Sequence, residues 1–359
     1  MPSQFDIPVA AVQPLFDGPL DLVGDVHGEW QALRSLLNHL GYDARGEHRQ
    51  GRRLVFVGDL CDRGPDSPRV VAFVREAVQR GLAQCVLGNH ELNVLRHERK
   101  RGNGWFFASH PDHAHPDFRQ SRRATGRERD AIRAFFAGLP LALRRADLRV
   151  THAAWDAAAL SSIGTTGPES HLDRYASFER RIADVIDGDV AAAVREELRH
   201  WGDHLHDEHT EVPLLPALAF AHEAYQMGNP LRVLTSGVER QATRSFFASG
   251  KWRMVARVPW WHEYGEAAPV VIGHYWRWFS PAGRDRYGHG TADLFGAHHA
   301  FDWLGPQRNV FCVDYSVGAR FRERRDGHEP GTFTTLAALR WPERELVTET
   351  GRRFPASGP

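Results

Sequence analysis

The sequence predicts an α/β fold with a largely parallel central sheet. Two observations carry this. Short, largely apolar runs recur, each ending in a polar, glycine-containing turn, and helix-period patterns separate the early runs. The runs cover residues 20–23, 54–57, 85–87, 148–150, 270–272 and 310–313. Their Val, Ile, Leu and Phe content over four or fewer residues fits buried strands. Within 29–40, Leu33, Leu36, Leu37 and Leu40 repeat at helix spacing, with Gly41 placed to stop the helix. Ser67 is a cap residue with Pro68 at the first helical position, and Val70, Val71, Phe73, Val74 and Val78 form the apolar face that follows. Residues 91–99 read as a third helix. In such sheets ligands gather beyond the C-terminal ends of the strands, where the three early turns sit.

Residues 102–128 are polar and broken by Gly and Pro, and read as an inserted loop. Residues 156–265 separate two later histidine-bearing turns. Their middle, 174–201, is helical in pattern through Tyr175, Phe178, Ile182, Val185, Ile186, Val190, Val194, Leu198 and Trp201. No flexible Gly/Ser linker and no internal repeat interrupts the chain. It reads as a single domain over 1–359 with insertions at about 102–128 and 156–265.

A length of 359 residues suits one large domain or two ordinary ones. Zero formal net charge gives no sign of bulk electrostatic capture of nucleic acid or membrane. Only Lys100 and Lys251 are lysines; every other basic residue is arginine, whose planar fork suits phosphate. Three cysteines, none in a CxxC pair, argue for a reducing compartment and against a thiolate zinc site. The first twenty residues lack a basic, then apolar, leader pattern, and no apolar stretch approaches the ~20 residues of a membrane helix. These features predict a cytoplasmic protein.

Three segments carry the chemistry: GDVHG at 24–28, GDLCDRG at 58–64 and GNHE at 88–91. Asp25 and His27, two apart at a strand end, face the same way and suit one cation. Asp59 follows the second strand, where it can bridge two cations, and Asn89 follows the third with a neutral carbonyl oxygen. Two later histidines also end apolar runs, His152 in ADLRVTHAAW and His274 in APVVIGHYW. This donor set suits two hard or borderline divalent cations sharing one carboxylate.

The order, spacing and flanks of these segments resemble the calcineurin-like metallophosphoesterases. They are most similar to the phosphoprotein phosphatase branch and its bacterial relatives, which include symmetrical dinucleoside tetraphosphate hydrolase-like enzymes. GDLCDRGPDS is the most specific single piece. The resemblance implies a four-layer fold, a β-sandwich of two mixed sheets flanked by helices, here with a helical insertion. It assigns one metal to Asp25, His27 and Asp59, and a second to Asp59, Asn89, His152 and His274. The implied metals are Mn or Fe, with Zn as a further option.

It also implies hydrolysis of phosphoester or phosphoanhydride bonds by a hydroxide bridging the two metals. Arg63 would clamp the phosphoryl oxygens, and His90 would protonate the leaving group with Asp62 fixing its protonated form. The substrate stays open among phosphoprotein, dinucleoside polyphosphate and nucleic-acid end. Two other readings compete: a catalytically silent metal-binding or interaction protein, and a nuclease-type phosphodiesterase. Trp276 stands where nuclease-like relatives carry a further histidine, which weakens the latter.

Weaker expectations surround this centre. Arg277 is a candidate second phosphate contact and Tyr315 a candidate pocket wall. Trp260, Trp261 and Tyr264 form either a stacking platform or core packing around the insertion, and composition favours packing. A segment that leaves and returns at the site rim is placed to act as a lid or platform. The histidine groups at 110, 113, 115 and at 204, 206, 209 read as chance clusters in a chain with 21 histidines.

Overall fold

The computed structural model of the chain describes residues 9–164, 169–248, 250–288, 293–296 and 298–356. The first strands are β1 (Val12–Pro14), β2 (Leu20–Val23), β3 (Arg53–Phe56), β4 (Ala83–Cys85), β5 (Ala142–Arg145) and β6 (Leu148–Thr151). They are followed by β7 (Glu239–Ala248), β8 (Lys251–Arg257), β9 (Val270–Ile272) and β10 (Val310–Cys312), then β11 (Ala337–Trp341), β12 (Glu345–Thr348) and β13 (Arg353–Pro355). One mixed sheet has the order β1-β5-β6-β9-β10 and the other β13-β12-β11-β2-β3-β4; β7 and β8 form a separate hairpin. Within them β2, β3 and β4 run parallel, as do β6, β9 and β10.

Side-chain alternation builds the layers. Leu20, Leu22, Val55 and Val57 point to one face and pack against Val150, Val271 and Phe311 of the opposite sheet. The alternate residues Val23, Leu54 and Phe56 point outward and are covered by helices. Each such side chain taken from water contributes roughly 1.5–3 kcal/mol, so the sandwich core fixes strand register as well as stability. Among the described residues no helix is long and apolar enough to cross a membrane.

The helices are α1 (Trp30–Leu40), α2 (Ser67–Gln79), α3 (Asn89–Leu95), α4 (Gly126–Ala137), α5 (Ala157–Ile163), α6 (His171–Val185), α7 (Asp189–Trp201), α8 (Pro216–Gly228), α9 (Pro230–Ser236), α10 (Pro281–Tyr287) and α11 (Arg320–Arg325). Leu33, Leu36, Leu37 and Leu40 of α1 are buried, and the helix ends at Gly41 in the left-handed conformation. α2 is capped by Asp66, whose side chain accepts the Arg69 N–H, and not by Ser67. The Ser67 hydroxyl is engaged instead by the Asp62 N–H at 3.0 Å.

α3 begins at Asn89, two residues earlier than the pattern suggested, because the Glu91 carboxylate accepts the Gly88 N–H at 3.0 Å. The single helical stretch expected over 174–201 is two helices, broken at Gly188. The 156–265 insertion is not purely helical either. It carries the β7–β8 hairpin, whose largely half-buried strands lack a clean two-residue alternation. Residues 165–168 and 249 of that insertion, and 1–8 at the N-terminus, lie outside the described residues. The 102–128 loop is anchored by buried Trp105, Phe106 and Phe118.

Candidate metal centre

Both sheets deliver their parallel strand ends to one place. Asp25 and His27 follow β2, Asp59 follows β3, and Asn89 opens α3 after β4. From the other sheet come His152 at the end of β6, His274 after β9 and Asp314 after β10. The turns that aim these side chains are strained. His27, Asp59, Asp62, Arg63, His274, Trp276 and Ser316 all hold positive φ, between 46° and 73°. Each costs on the order of 1–3 kcal/mol, which the surrounding packing has to offset. Close approach adds a second constraint. A Cβ on Gly88 would lie 2.4 Å from the Asp59 carboxylate, and one on Gly273 would lie 2.1 Å from that of Asp25.

Asp59 sits at the centre with its two oxygens divided. Oδ2 lies 3.9 Å from His27 Nε2 and 3.8 Å from His90 Nε2. Oδ1 lies 3.3 Å from His152 Nε2 and accepts the His90 backbone N–H at 3.0 Å. Two groups of three donor side chains result, each with its donor atoms within 4.8 Å of one another: His27, Asp59 and His90, and Asp59, His152 and His274. Asn89 Oδ1 joins the second group, 3.2 Å from His152 Nε2 and 2.9 Å from His274 Nδ1. Asp25 stands behind, its Oδ2 accepting the His274 N–H at 3.1 Å.

Outer contacts orient the ring nitrogens. His27 Nδ1 faces the Cys61 carbonyl at 3.0 Å and His152 Nδ1 the Val57 carbonyl at 2.7 Å, so each turns Nε2 toward Asp59. Burial, then the Arg63 charge, pushes His27 well below the ordinary histidine value; burial, then Arg257, does the same to His274. Both shifts favour the neutral ring, the form that binds metal.

The carboxylates show the complementary signature. Burial, then the charges of Asp314 and Asp59, pushes Asp25 well above the usual range. Burial, with Asp59 adding, lifts Asp314 to about 6 and Glu91 to about 7. Burial also opposes the charge of Asp59, but His152, His90 and His27 hold it well below the usual range. Four buried carboxylates crowded in this way lack positive charge, and divalent cations would supply it. The residues therefore fit a two-cation site.

Beside the centre lies a second device. His90 Nδ1–H donates to Asp62 Oδ2 at 2.5 Å, and the Trp105 indole N–H donates to Asp62 Oδ1 at 2.6 Å. Arg63 Nη1 donates to His27 Nε2 at 3.3 Å, and the Arg63 backbone N–H donates to the Gly102 carbonyl at 2.8 Å. Gly102 and Gly104 are in turn pinned by the Asp112 carboxylate at 2.8 and 2.9 Å. The 102–128 loop thus braces both Asp62 and Arg63.

Two expected site residues are employed elsewhere. Arg277 is buried, its guanidinium donating to the carbonyls of His299, Asp302 and Cys312 between the rings of Phe295 and Phe311. It has no fork to offer a phosphate. Tyr315 lies in the sandwich core, donates to the Ala300 carbonyl at 2.6 Å and packs on Phe279, so it lines no pocket. Trp260, Trp261 and Tyr264 are likewise buried, and the Trp260 N–H donates to the Ala153 carbonyl at 3.1 Å. The histidines at 110 and 113 serve their own loop, at Asp112 N–H and the Gly104 carbonyl. His204, His206 and His209 join neither donor group at the centre.

The sequence reading left out Glu91, Trp105 and Arg257. Glu91 accepts the N–H groups of Asp59, Leu60 and Gly88, which fixes the turn that carries Asp59. Its signal was present in GNHE as a carboxylate three residues past the cap position. Trp105 gave no local signal. Arg257, at the foot of the hairpin, stands 5.8 Å from the Tyr275 ring beside His274.

The sequence profile of the Calcineurin-like phosphoesterase family matches residues 18–224. The asymmetrical bis(5'-nucleosyl)-tetraphosphatase PrpE of Oceanobacillus iheyensis is 45% identical over 80 residues, 21% of this chain and 32% of that protein. The symmetrical bis(5'-nucleosyl)-tetraphosphatase of Proteus mirabilis is 43% identical over 74 residues, 21% of this chain and 24% of that protein. The chain thus spans about a third or less of the length of the curated relatives it matches. Among solved structures, the cold-active protein-tyrosine phosphatase of a psychrophilic Shewanella aligns over 99% of this chain and 85% of its own, at 16% identity and a TM-score of 0.47.

Proposed function

Because the chain belongs to the calcineurin-like phosphoesterase family, we propose that it hydrolyses phosphoester or phosphoanhydride bonds at a centre holding two divalent cations. The observation that carries this reading is the division of the Asp59 oxygens, one toward His27 and the other toward His152. Asp25, His27 and Asp59 would hold one cation, and Asp59, Asn89, His152 and His274 the other. Bound there, the cations would acidify a water and neutralise charge on the phosphoryl oxygens.

The chain's own side chains do the rest. Arg63, beside His27 and held by the Gly102 carbonyl, presents its guanidinium to the phosphoryl oxygens. His90 carries a proton on Nδ1 toward Asp62, which leaves Nε2 facing the site to hand a proton to the leaving oxygen. Trp105 keeps Asp62 in place, so the imidazole cannot rotate away. No covalent phosphoenzyme is required. Cys61 is buried, and burial pushes its thiol well up, so it is a poor nucleophile.

The metals are Mn or Fe, with Zn also compatible with nitrogen and oxygen donors. Dinucleoside tetraphosphates head the substrate classes, because the matched segment is shared with tetraphosphatases. Phosphoproteins and nucleic-acid ends follow. The test is an activity screen on protein reconstituted with Mn, Fe or Zn. It covers p-nitrophenyl phosphate, bis(p-nitrophenyl) phosphate, a phosphopeptide and diadenosine tetraphosphate. Stoichiometric metal binding without turnover of any of them would sink the reading.

A further inference from the structure

Two arginines that form no ion pair among the described residues bracket one indole at the mouth of the centre. Arg63 Cζ lies 5.3 Å and Arg322 Cζ 5.6 Å from the Trp276 ring centroid. Trp276 is itself fixed, in the left-handed conformation with its N–H on the buried Asp314 carboxylate at 2.8 Å. Neighbouring arginines of the same short helix are occupied: Arg320 with Glu349, Arg324 with Glu29 and Arg325 with Asp326. Arg101 pairs with Asp117. Arg322 forms no ion pair among the described residues; its Nη1 donates to the Tyr287 carbonyl at 3.1 Å.

The charge balance around Arg322 is unfavourable. Burial, then the positive charges of Arg63, Arg325 and Arg101, lowers it to about 10. Asp326 offsets this only in part, and an anion bound between Arg63 and Arg322 would relieve the rest. Arg63 already faces the position of the scissile phosphoryl group. A second guanidinium one indole away is placed to meet further negative charge beyond that group.

We propose that Arg322, with Trp276, forms a second phosphate subsite adjoining Arg63, so that the preferred substrate is a phosphoanhydride carrying a further phosphoryl group next to the one attacked. This rests on the phosphoesterase reading above and deepens it. A monoester would fill the Arg63 position alone. A pyrophosphate or longer chain would span from Arg63 to Arg322, with the indole between the guanidiniums holding both by cation–π attraction. Charge-assisted contacts of this kind change affinity roughly ten- to a hundred-fold.

The test compares wild type with Arg322→Gln, which removes the charge and keeps a donor for the Tyr287 carbonyl. Arg322→Lys serves as a second variant that keeps the charge without the fork. On metal-loaded protein, kcat/KM is measured for tripolyphosphate and for p-nitrophenyl phosphate, and thermal unfolding reports folding. Binding of imidodiphosphate and of orthophosphate is measured by calorimetry, which does not depend on turnover. Arg322→Gln is expected to lower the tripolyphosphate-to-aryl-phosphate ratio about tenfold or more, and to lose a similar factor of preference for imidodiphosphate. Ratios within twofold of wild type in both variants, both folded, would overturn the subsite and leave the phosphoesterase reading intact. If wild type turns over neither substrate, the phosphoesterase reading itself falls and the subsite with it.

Discussion

His90 Nδ1 lies 2.5 Å from Asp62 Oδ2, and the other oxygen of Asp62 is taken by the Trp105 indole at 2.6 Å. The carboxylate is held from both sides, and it holds the imidazole. This arrangement has direct kinetic consequences.

His90→Asn is expected to retain metal and to lose roughly 10²–10⁴-fold in turnover on substrates with poor leaving groups. The loss on p-nitrophenyl phosphate, whose leaving group hardly needs a proton, should be far smaller. Trp105→Phe should reproduce the same leaving-group dependence at reduced size, because it frees one side of Asp62. Equal losses on both substrates would remove His90 from the proton-donor role.

Asp59→Asn is expected to cost more activity than any other single ligand change, since one oxygen faces His27 and the other His152. Metal analysis after dialysis should give fewer than two bound ions per chain. A variant that retains both ions and wild-type turnover would show that the cations do not share this carboxylate.

Trp261 is fully buried, stacked on Phe295 at 5.6 Å and edge-on to Tyr275 at 5.3 Å. Trp261→Ala should therefore destabilise the protein by about 3–5 kcal/mol. Chemical denaturation measures this directly. A shift in KM with unchanged stability would instead restore the platform that burial argues against.

Acid should weaken the fold through His171. This ring is buried, its Nε2 faces the Leu139 carbonyl at 2.8 Å, and burial holds its pKa down to about 4. The unfolded chain takes up the proton near the ordinary histidine value of about 6.5. The contribution is thus complete above about 6.5 and is lost as pH falls toward 4, amounting to about 3 kcal/mol. His222, lowered to about 4 by burial and by Lys251 and Arg253, adds in the same direction. Unfolding curves from pH 7 to 4.5 should show a shallower acid loss for His171→Gln than for wild type. An identical slope would place the acid sensitivity elsewhere.

The site was legible in the sequence wherever a donor follows directly on a buried strand. Asp25, Asp59, His152 and His274 could be placed because a short apolar run fixes where the strand ends, and β2 and β9 have the predicted bounds. What escaped was fixed by distant partners. The Arg277 side chain is captured by carbonyls of residues 299 and 302, and nothing around position 277 announces them. Trp105 reaches Asp62 across 43 positions. The β7–β8 hairpin hides because a register shift between Gln241 and Phe246 and half-burial on both faces erase its alternation. The antiparallel β11 and β12 went unread because Arg340 in one and Glu345 and Thr348 in the other interrupt their short apolar stretches.

Donors drawn from both sheets also impose an order of events during synthesis. A nascent chain that has emerged through Glu91 already carries Asp25, His27, Asp59 and Asn89. It still lacks His152 and His274, and the strand that places His274 pairs with β10 at residues 310–312. The ribosome must therefore finish most of the chain before the proposed donor set is complete. On the two-cation reading, a binding assay on a chain truncated before β9 should therefore find no site able to hold both ions.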